Sequence, residues 1–209
     1  MNIEQIKLLE PVFDKIELTF NAFENRKTVK TFIDKKLPLQ ILSNLLWAAC
    51  GVNRKTTTSG ILGRTAASAS NSQEIDIYTI FEDGIYKYNP SENLLIPIIS
   101  GDLRSLAIGQ PQAKFDTGVN APVRLIYVAN IDKLVNTTGH KEPGLMDTEV
   151  QKSYYFVDTG LIAGNVYLFA ASQGLAAWFH NCNKPALLEK LNLNSNQRIL
   201  FGQTVGYSA

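Results

Sequence analysis

The chain has 209 residues, of which 45% are hydrophobic and 19% are charged. That balance is ordinary for a globular domain and excludes wholesale disorder. Twenty Lys and Arg against nineteen Asp and Glu leave a formal net charge of +1, so no overall field favours nucleic acid or an acidic membrane. We therefore expect one domain over residues 1–209, with no nucleic-acid or membrane partner.

The sequence lacks the residue clusters of metal and nucleophile enzymes. Cys50 and Cys182 are far apart and form no CxxC motif, so we expect two lone buried thiols rather than zinc or iron–sulfur ligands. His140 and His180 follow no nucleophile motif, and there is no P-loop and no GxGxxG after a strand. We predict no metal site and no catalytic side chain. If the chain is an enzyme, a cofactor carries its chemistry.

The N-terminal twenty residues alternate charged and apolar positions and contain no hydrophobic signal run. We expect a cytoplasmic protein, with a periplasmic or secreted location only if a signal peptide was removed upstream. The stretch 159–183 has no Asp, Glu, Lys or Arg, but polar residues interrupt it, and its best apolar run is too short to cross a bilayer. It therefore predicts a helix buried on most sides.

The first elements along the chain are helical. Apolar spacing predicts a helix that ends near Asn25, followed by an extended segment over 26–32. Pro38 and a stripe of leucines predict a second helix, which Gly51 ends as a C′ residue. Two loops are expected next, a polar one over 51–63 and one of small residues over 66–72.

Strands dominate the middle of the chain. The β-rich runs predict strands over 74–81, 84–88, 94–99, 122–129 and 198–206, with Asp83-Gly84 as a hairpin turn. A short strand or extended loop is expected over 175–180 and a loop over 136–146. Helices are expected over 103–114 (short and broken), 148–173 (the longest, ended by Gly174) and 185–191. Without regular βαβ alternation, the fold class is α+β.

A basic segment follows the first predicted helix. Arg26, Lys27, Thr28 and Lys30 place three cations and a hydroxyl within five residues. In an extended chain, residues 26, 28 and 30 share one face and could converge on one phosphate. The alternative is a solvated basic helix end that complements the helix dipole.

Two further stretches suggest a ligand or a partner. Residues 66–73 (AASASNSQ) offer small side chains, backbone amides and two carboxamides, which suit the polar edge of a flat heteroaromatic ring; the alternative is a plain Ser/Ala loop. Gly160, Ala163, Gly164 and Ala171 give the long helix a small-residue face that lets another helix approach. That face favours a subunit interface or, alternatively, core packing within one chain.

Six stretches in order resemble the FMN-dependent nitroreductase family, from about Asn25 to the C-terminus. Residues 26–32 (RKTVKTF) resemble its opening R-R-S-x-R-x-F, and 45–54 (LLWAACGVNR) its LLWAAxGxNR. Residues 64–69 (RTAASA) resemble R-T-A-P-S-A, with Asn71 and Gln73 on the N-x-Q that follows. The D-x-G…N…GL pattern is matched by Asp158, Gly160, Asn165 and 174–176, and 203–207 (QTVGY) resembles the family's final strand.

The resemblance implies a nitroreductase-like mixed, mainly antiparallel sheet flanked by helices, in a homodimer with a long buried interface helix and FMN at the subunit interface. One subunit would hold the phosphate and ribityl end through Arg26, Lys27, Thr28 and Lys30. The other subunit would approach the flavin through Ala67, Ser68, Ala69, Asn71 and Gln73. Along the isoalloxazine would lie Leu175 and Ala176, with their backbone amides available to its polar edge.

The sequence departs from the family pattern in two places. Ala67 replaces the usual proline, so we expect a less rigid flavin-side loop. The chain stops at Ala209, two residues past Tyr207, whereas many members carry a basic residue beyond this strand that reaches the phosphate. We therefore expect phosphate binding to depend more on Arg26 and Lys30.

The resemblance implies an oxidoreductase that takes hydride from NADH or NADPH and reduces a small electron-poor acceptor, such as a nitroaromatic or a quinone, by ping-pong kinetics. Two alternatives stay open. One is a flavin-dependent azoline dehydrogenase that works with partner proteins, toward which the LLWAAxGxNR and RTAxSA stretches lean. The other is a flavin- or ligand-binding protein without turnover, which the lost proline and basic tail favour.

Overall fold

The secondary structure is taken from a computed structural model, which describes residues 2–10, 18–55, 60–110, 114, 121–138 and 141–209. The strands are β1 (Ile6–Lys7), β2 (Phe32–Ile33), β3 (Val52–Arg54), β4 (Gly63–Arg64), β5 (Ile75–Ile80), β6 (Gly84–Asn89), β7 (Leu94–Ser100), β8 (Val123–Asn130), β9 (Ala176–His180) and β10 (Gln197–Ser208). The helices are α1 (Leu18–Asn25), α2 (Leu39–Cys50), α3 (Ile131–Val135), α4 (Thr148–Ser172) and α5 (Lys184–Lys190), with 3₁₀ turns at Ala69–Asn71 and Arg104–Ala107.

Eight strands form one sheet in the order β1-β7-β6-β5-β8-β10-β2, with β9 also paired to β10. Every described pairing is antiparallel. The long strand β10 pairs with β8, with β9 through 202–206, and with β2 through 207–208. The segment that enters β2 is therefore brought beside β9.

Apolar side chains cover both faces of the central strands. On one face, Ile77 and Leu125 belong to the core that includes residues of α2 and α4. On the other, Ile80 and Ile126 pack in a second core with Leu187 of α5. Because neighbouring side chains along a strand point to opposite faces, two cores explain why β5 and β8 are buried at nearly every position.

The structure confirms the α+β class, the helix end at Asn25, the 83–84 hairpin turn and the final strand. Gly51 ends α2, but with an extended φ of −68° and not in the left-handed conformation expected of a C′ glycine. Glycine is required there because an added Cβ would lie 2.4 Å from Trp47 Cδ1. The predicted polar loop 51–63 contains the β3–β4 pair. Residues 56–59, 111–113 and 139–140 of the predicted loops and helices lie outside the described residues.

The longest predicted helix, 148–173, is confirmed by α4 to within one residue. The Asp147 carboxylate accepts the Glu149 N–H at its start, and Gly174, with a φ of +65°, follows its end. Within the single chain, α4 is buried on only one side, which includes Ile162, Val166 and Ala170. Other apolar residues of α4 are exposed, namely Phe156, Val157 and Leu161. No helix within the described ranges is long and apolar enough to span a membrane.

Both cysteines are free and buried, as expected. Burial is the main cause that raises the pKa of Cys50 to about 12 and that of Cys182 to about 11. Because the thiolate is the reactive form, neither thiol is poised for nucleophilic or redox chemistry near neutral pH.

Candidate functional site

A cavity of about 430 Å³ opens at the C-terminal end of α4, and we call it the helix-end cavity. Its volume is in the range of small-molecule and cofactor sites. It brings the basic segment together with the turn that leads into β9. Its lining residues are Asn25, Lys27, Val29, Tyr167, Ala170, Ala171, Gly174, Leu175, Ala176, Ala177 and Ser208. Three predicted site residues, Lys27, Leu175 and Ala176, therefore meet around one space.

The basic segment has the extended form that its sequence predicts. The Val29 N–H donates to the Ala177 carbonyl at 3.0 Å, and the Val29 side chain packs in a small core with Trp178. This one inward residue fixes the segment against β9, while Arg26, Lys27, Thr28 and Lys30 stay exposed. The Lys30 Nζ lies 5.6 Å from the centroid of the Trp178 ring, in the range of a cation–π contact.

Tyr167 of α4 organises the other end of this segment, a role that the sequence did not reveal. Its hydroxyl accepts the Phe179 N–H at 2.8 Å and is hydrogen-bonded to Thr28 Oγ1 at 3.1 Å. Arg26 Cζ lies 5.7 Å from the centroid of its ring. Arg26 and Thr28 therefore share one partner, whereas Lys30 lies over a different ring. The only sequence signal for Tyr167 is its helical spacing from the small residues of α4.

The second predicted set lies in the loop 65–73. Ser70, Asn71 and Gln73 all have φ values near +50°, a left-handed conformation that costs free energy in residues other than glycine. The Gln73 Nε2 donates to the Leu62 carbonyl at 2.5 Å and to Asn71 Oδ1 at 3.2 Å, and its Oε1 accepts from Arg64 Nε at 2.7 Å. With both amide protons used, the Gln73 side chain acts by orienting Asn71.

Two polar residues of α4 hold this loop. The Ala69 N–H donates to Asp158 Oδ2 at 2.8 Å, and Asn165 Nδ2 donates to the Thr65 carbonyl at 3.4 Å. Asp158 and Asn165 are the polar positions of the D-x-G…N pattern. Their contacts give that pattern a physical meaning, because each satisfies a backbone group of a loop that forms no ladder of its own.

Asp158 also meets a second buried carboxyl group, that of Glu74. Both residues are almost fully buried, and their carboxyl groups are near enough for each to act on the pKa of the other. Desolvation by burial, followed by the charge of Asp158, raises the pKa of Glu74 to about 8. Burial also raises the pKa of Asp158. The pair lines a small cavity of about 50 Å³ together with Ala67, Ser68 and Gln73.

The two predicted sets thus line separate cavities of the single chain. The helix-end cavity takes Lys27, Leu175 and Ala176, and the small cavity takes residues of the loop 65–73. Their convergence on one ligand through two subunits stays a prediction.

Large apolar side chains are exposed on α1 and on the adjacent part of α4. The exposed fractions are 88% for Phe20, 60% for Phe23 and 60% for Val157. Beside them a Cβ added at Gly160 or Gly164 would meet nothing within 4 Å. The predicted small-residue face is therefore divided, since Gly160 and Gly164 face outward, Ala163 packs in the core and Ala171 lines the helix-end cavity.

Among the described residues, no group of three or more His, Cys, Asp or Glu side chains could hold a metal ion. The antiparallel sheet, the helix-end cavity and the cationic segment beside it define an α+β protein with a cavity of cofactor size bordered by exposed cations. Comparison with known proteins gives the family. A sequence model of the Nitroreductase family matches residues 23–207, and the chain belongs to that family.

Individual relatives agree with this assignment. A protein of Methanocaldococcus jannaschii, provisionally named a nitroreductase, is 30% identical over 181 residues, which is 83% of this chain and 78% of that protein. A crystal structure from Ralstonia eutropha, also provisionally named a nitroreductase, has a TM-score of 0.83 and 32% identity, with 99% of this chain and 90% of that chain covered.

A more distant structure shares the fold alone. A chain of the E. coli microcin synthetase complex with a truncated precursor bound has a TM-score of 0.67 and 17% identity, with 97% of this chain and 77% of that chain covered. Together with the family match, the relatives support an oxidoreductase of the flavin-using kind in general.

Proposed function

We propose that the protein binds FMN at a site completed by two subunits and uses it to pass electrons from NADH or NADPH to a small electron-poor acceptor. The observation that carries this proposal is the helix-end cavity, where a cationic segment faces a turn of small residues in a chain of the nitroreductase family. A phosphate needs cations and hydroxyl donors, and a flat ring needs a lining without bulk. The residues present fit both ends of the flavin.

The residues divide by chemistry. Arg26, Lys27, Thr28 and Lys30 hold the phosphate and ribityl end. When the Tyr167 hydroxyl donates to Thr28 Oγ1, the Thr28 proton points away from Tyr167 and is available to the phosphate. The turn at Leu175 and Ala176 lies along the ring. The Leu175 N–H is already donated to the Ala170 carbonyl at 2.8 Å, so, contrary to the expectation from the sequence, this amide is not free for the polar edge of the flavin. Ala67, Ser68, Ala69 and Asn71 of the other subunit approach the same ring, and Gln73 orients Asn71.

When bound, FMN supplies reversible hydride transfer, and the protein supplies the rest. The chain's own residues fix the ring, bind its phosphate and exclude water, so no side chain is assigned as catalytic acid or base. A donor and an acceptor that use the same open face in turn would give ping-pong kinetics. Nitroaromatics and quinones are the acceptor classes we propose.

The visible absorption spectrum of the purified protein, followed by anaerobic addition of NADH or NADPH, tests this function. We expect a yellow protein that releases FMN on denaturation and is bleached by one of the two donors. A yellow protein that neither donor bleaches would favour the azoline dehydrogenase, which takes electrons from its substrate, or a flavin-binding protein without turnover. A colourless protein that refuses added FMN would contradict the proposal.

Arg26→Ala is expected to weaken FMN binding without affecting the fold, because Arg26 is exposed. A charge-assisted hydrogen bond contributes about 1.5–3 kcal/mol, which corresponds to roughly a 10- to 150-fold rise in Kd. Equilibrium titration monitored by flavin fluorescence measures the change. Lys190→Ala, an exposed cation on α5, is the matched control and should leave Kd unchanged. Equal Kd values for the two variants would remove Arg26 from the phosphate site.

A further inference from the structure

The Glu74–Asp158 pair lies where the loop 65–73 is fastened to α4. Asp158 Oδ2 accepts the Ala69 N–H at 2.8 Å, and Glu74 Oε2 accepts the Ser72 hydroxyl at 2.6 Å. Glu74 Oε1 is buried and meets no other donor in the part of the chain that the structure describes. Asp158 lines the same small cavity, and its charge acts on Glu74 there; a proton on one of the two carboxyl groups would relieve their repulsion and give Glu74 Oε1 a partner.

The contacts place that proton on Glu74. Asp158 already accepts a backbone N–H, which favours its charged form. Glu74 is fully buried, and one of its oxygens is occupied by Ser72. A protonated Glu74 that donates to an ionised Asp158 satisfies every group of the pair, whereas two ionised carboxylates would repel each other in a space with little water.

We propose that Glu74 is a positioning residue for the flavin: its carboxylic proton, donated to Asp158, holds the loop 65–73 in the form that receives the flavin ring, so that loss of this proton weakens flavin binding. The inference rests on the proposed FMN site. It adds a residue and a pH dependence that the site itself does not require.

The loop is suited to respond to this proton. Three of its residues, Ser70, Asn71 and Gln73, are held in the left-handed conformation, which persists only while surrounding contacts enforce it. The contact between Asp158 and Ala69 is one of those. When Glu74 ionises, repulsion between the two carboxylates disturbs Asp158 and therefore the loop backbone that Asp158 anchors.

Several other charged and titratable groups face the pair. Across the small cavity stand the cations Arg64 and Lys133 and the carboxylate of Asp76, whose Oδ1 lies 2.6 Å from Lys133 Nζ. Cys50 and Tyr88 also line it, and burial raises the pKa of both, so both stay protonated. On the α4 side the charges of Glu142 and Asp158 both act on Tyr154.

The test compares FMN dissociation constants of the wild type and Glu74→Gln from pH 6.5 to 9.0. Glutamine keeps a neutral donor toward Asp158 and cannot ionise. If only the protonated form binds well and Glu74 titrates near pH 8, the wild-type Kd rises about tenfold at pH 9, while that of Glu74→Gln changes less than twofold. Glu142→Gln, a carboxyl beside the loop but outside the pair, is the matched control and should follow the wild-type profile.

Each other outcome has a defined meaning. Identical pH profiles for the wild type and Glu74→Gln would overturn this inference and leave the FMN site intact. Failure of both proteins to bind FMN at any pH would overturn the FMN site and the inference with it. If Glu74→Gln does not fold, carboxyl ¹³C NMR of the wild type decides: a glutamate resonance that titrates near pH 8 supports the inference, and titration of every glutamate below pH 6 overturns it.

Unfolding provides a readout without flavin. Between the ordinary Glu pKa of 4.5 and the native value of about 8, the native state holds a proton that the unfolded chain releases. The free energy of unfolding therefore falls with rising pH across this window and is flat above it. We expect this fall in the wild type and not in Glu74→Gln; parallel curves for the two proteins would contradict the assignment of the proton.

Discussion

Val157→Glu is expected to make the protein monomeric and to abolish flavin retention. Val157 is 60% exposed on α4, and it lies about one helical turn before the open position at Gly160. A single chain accommodates a carboxylate there without strain. In the proposed homodimer the same carboxylate would be buried without a partner, twice across the two-fold axis, and this cost is prohibitive.

Sedimentation equilibrium measures the effect on assembly, and the 450-nm absorbance after gel filtration measures flavin retention. The wild type should have twice the chain mass of 23.1 kDa, and the variant should have that mass once. Leu188→Glu is the matched control, because Leu188 is an apolar residue that is 45% exposed on α5, a helix that packs on the other face of the sheet through Leu187. A dimeric Val157→Glu with bound flavin would exclude this surface from the interface.

A monomeric Val157→Glu variant that keeps its flavin would test the shared site and not the interface. The helix-end cavity and the small cavity beside the loop 65–73 have different lining residues in one chain, and the proposal has the two predicted sets meet on one flavin across subunits. Flavin retention by a monomer would therefore show that one set does not contact FMN. The two readouts of Val157→Glu thus test the interface and the shared site separately.

The sequence predicted the long elements of the fold because their signals are local. Period-two alternation located β5, a buried β-rich run located β8, and the uncharged stretch with its terminal Gly174 located α4 almost to the residue. The two-residue strands β1 and β2 were missed, because their hydrogen bonds depend on distant strands and leave no pattern in so short a segment. The close approach to Trp47 that requires Gly51 is equally invisible before the chain is folded.

At the candidate site, the sequence predicted the segments that belong to recognisable motifs and missed the residues that hold those segments in place. The basic segment and the loop 65–73 were predicted, whereas Tyr167 and Glu74 were not. Both missed residues act through partners far along the chain: Tyr167 through Thr28, and Glu74 through Asp158. Such long-range polar pairs have no sequence period. In the sequence, Asp158 is only one position of the D-x-G…N…GL motif. The hydrogen bond that it accepts from the Ala69 N–H explains what an aspartate does at that position.

Helix α4 connects these parts physically. One side of it packs in the core through Ile162 and Val166, and another exposes Val157. Its polar residues Asp158 and Asn165 anchor the loop 65–73, and its Tyr167 holds the basic segment through Thr28. A helix that presses two subunits together would therefore also set the distance between the two halves of the proposed flavin site.

Thr204→Val is expected to destabilise the fold by about 2–6 kcal/mol, since two buried polar groups each lose a partner at about 1–3 kcal/mol. Thr204 lies fully buried in β10, and its Oγ1 lies 2.8 Å from Arg124 Nη1 of β8 and 2.8 Å from His180 Nε2 of β9. The His180 Nδ1 faces the Asn181 carbonyl at 2.9 Å, which can only accept. Nδ1 therefore donates, Nε2 accepts the Thr204 proton, and Thr204 accepts from Arg124.

Valine keeps the shape of threonine and removes both hydrogen bonds. The lost stability therefore comes from the hydrogen-bond network that joins β8, β9 and β10 beside the helix-end cavity. Urea unfolding measures it as a lower midpoint with an unchanged m value. Thr204→Ser is the control, because it keeps the hydroxyl and loses one methyl group, worth about 1 kcal/mol. Equal losses for valine and serine would show that packing and not hydrogen bonding makes Thr204 important. A larger loss for valine would show that the side chains of β8, β9 and β10 are held together through one hydroxyl, which also fixes β9, and with it Ala176, at the edge of the cavity.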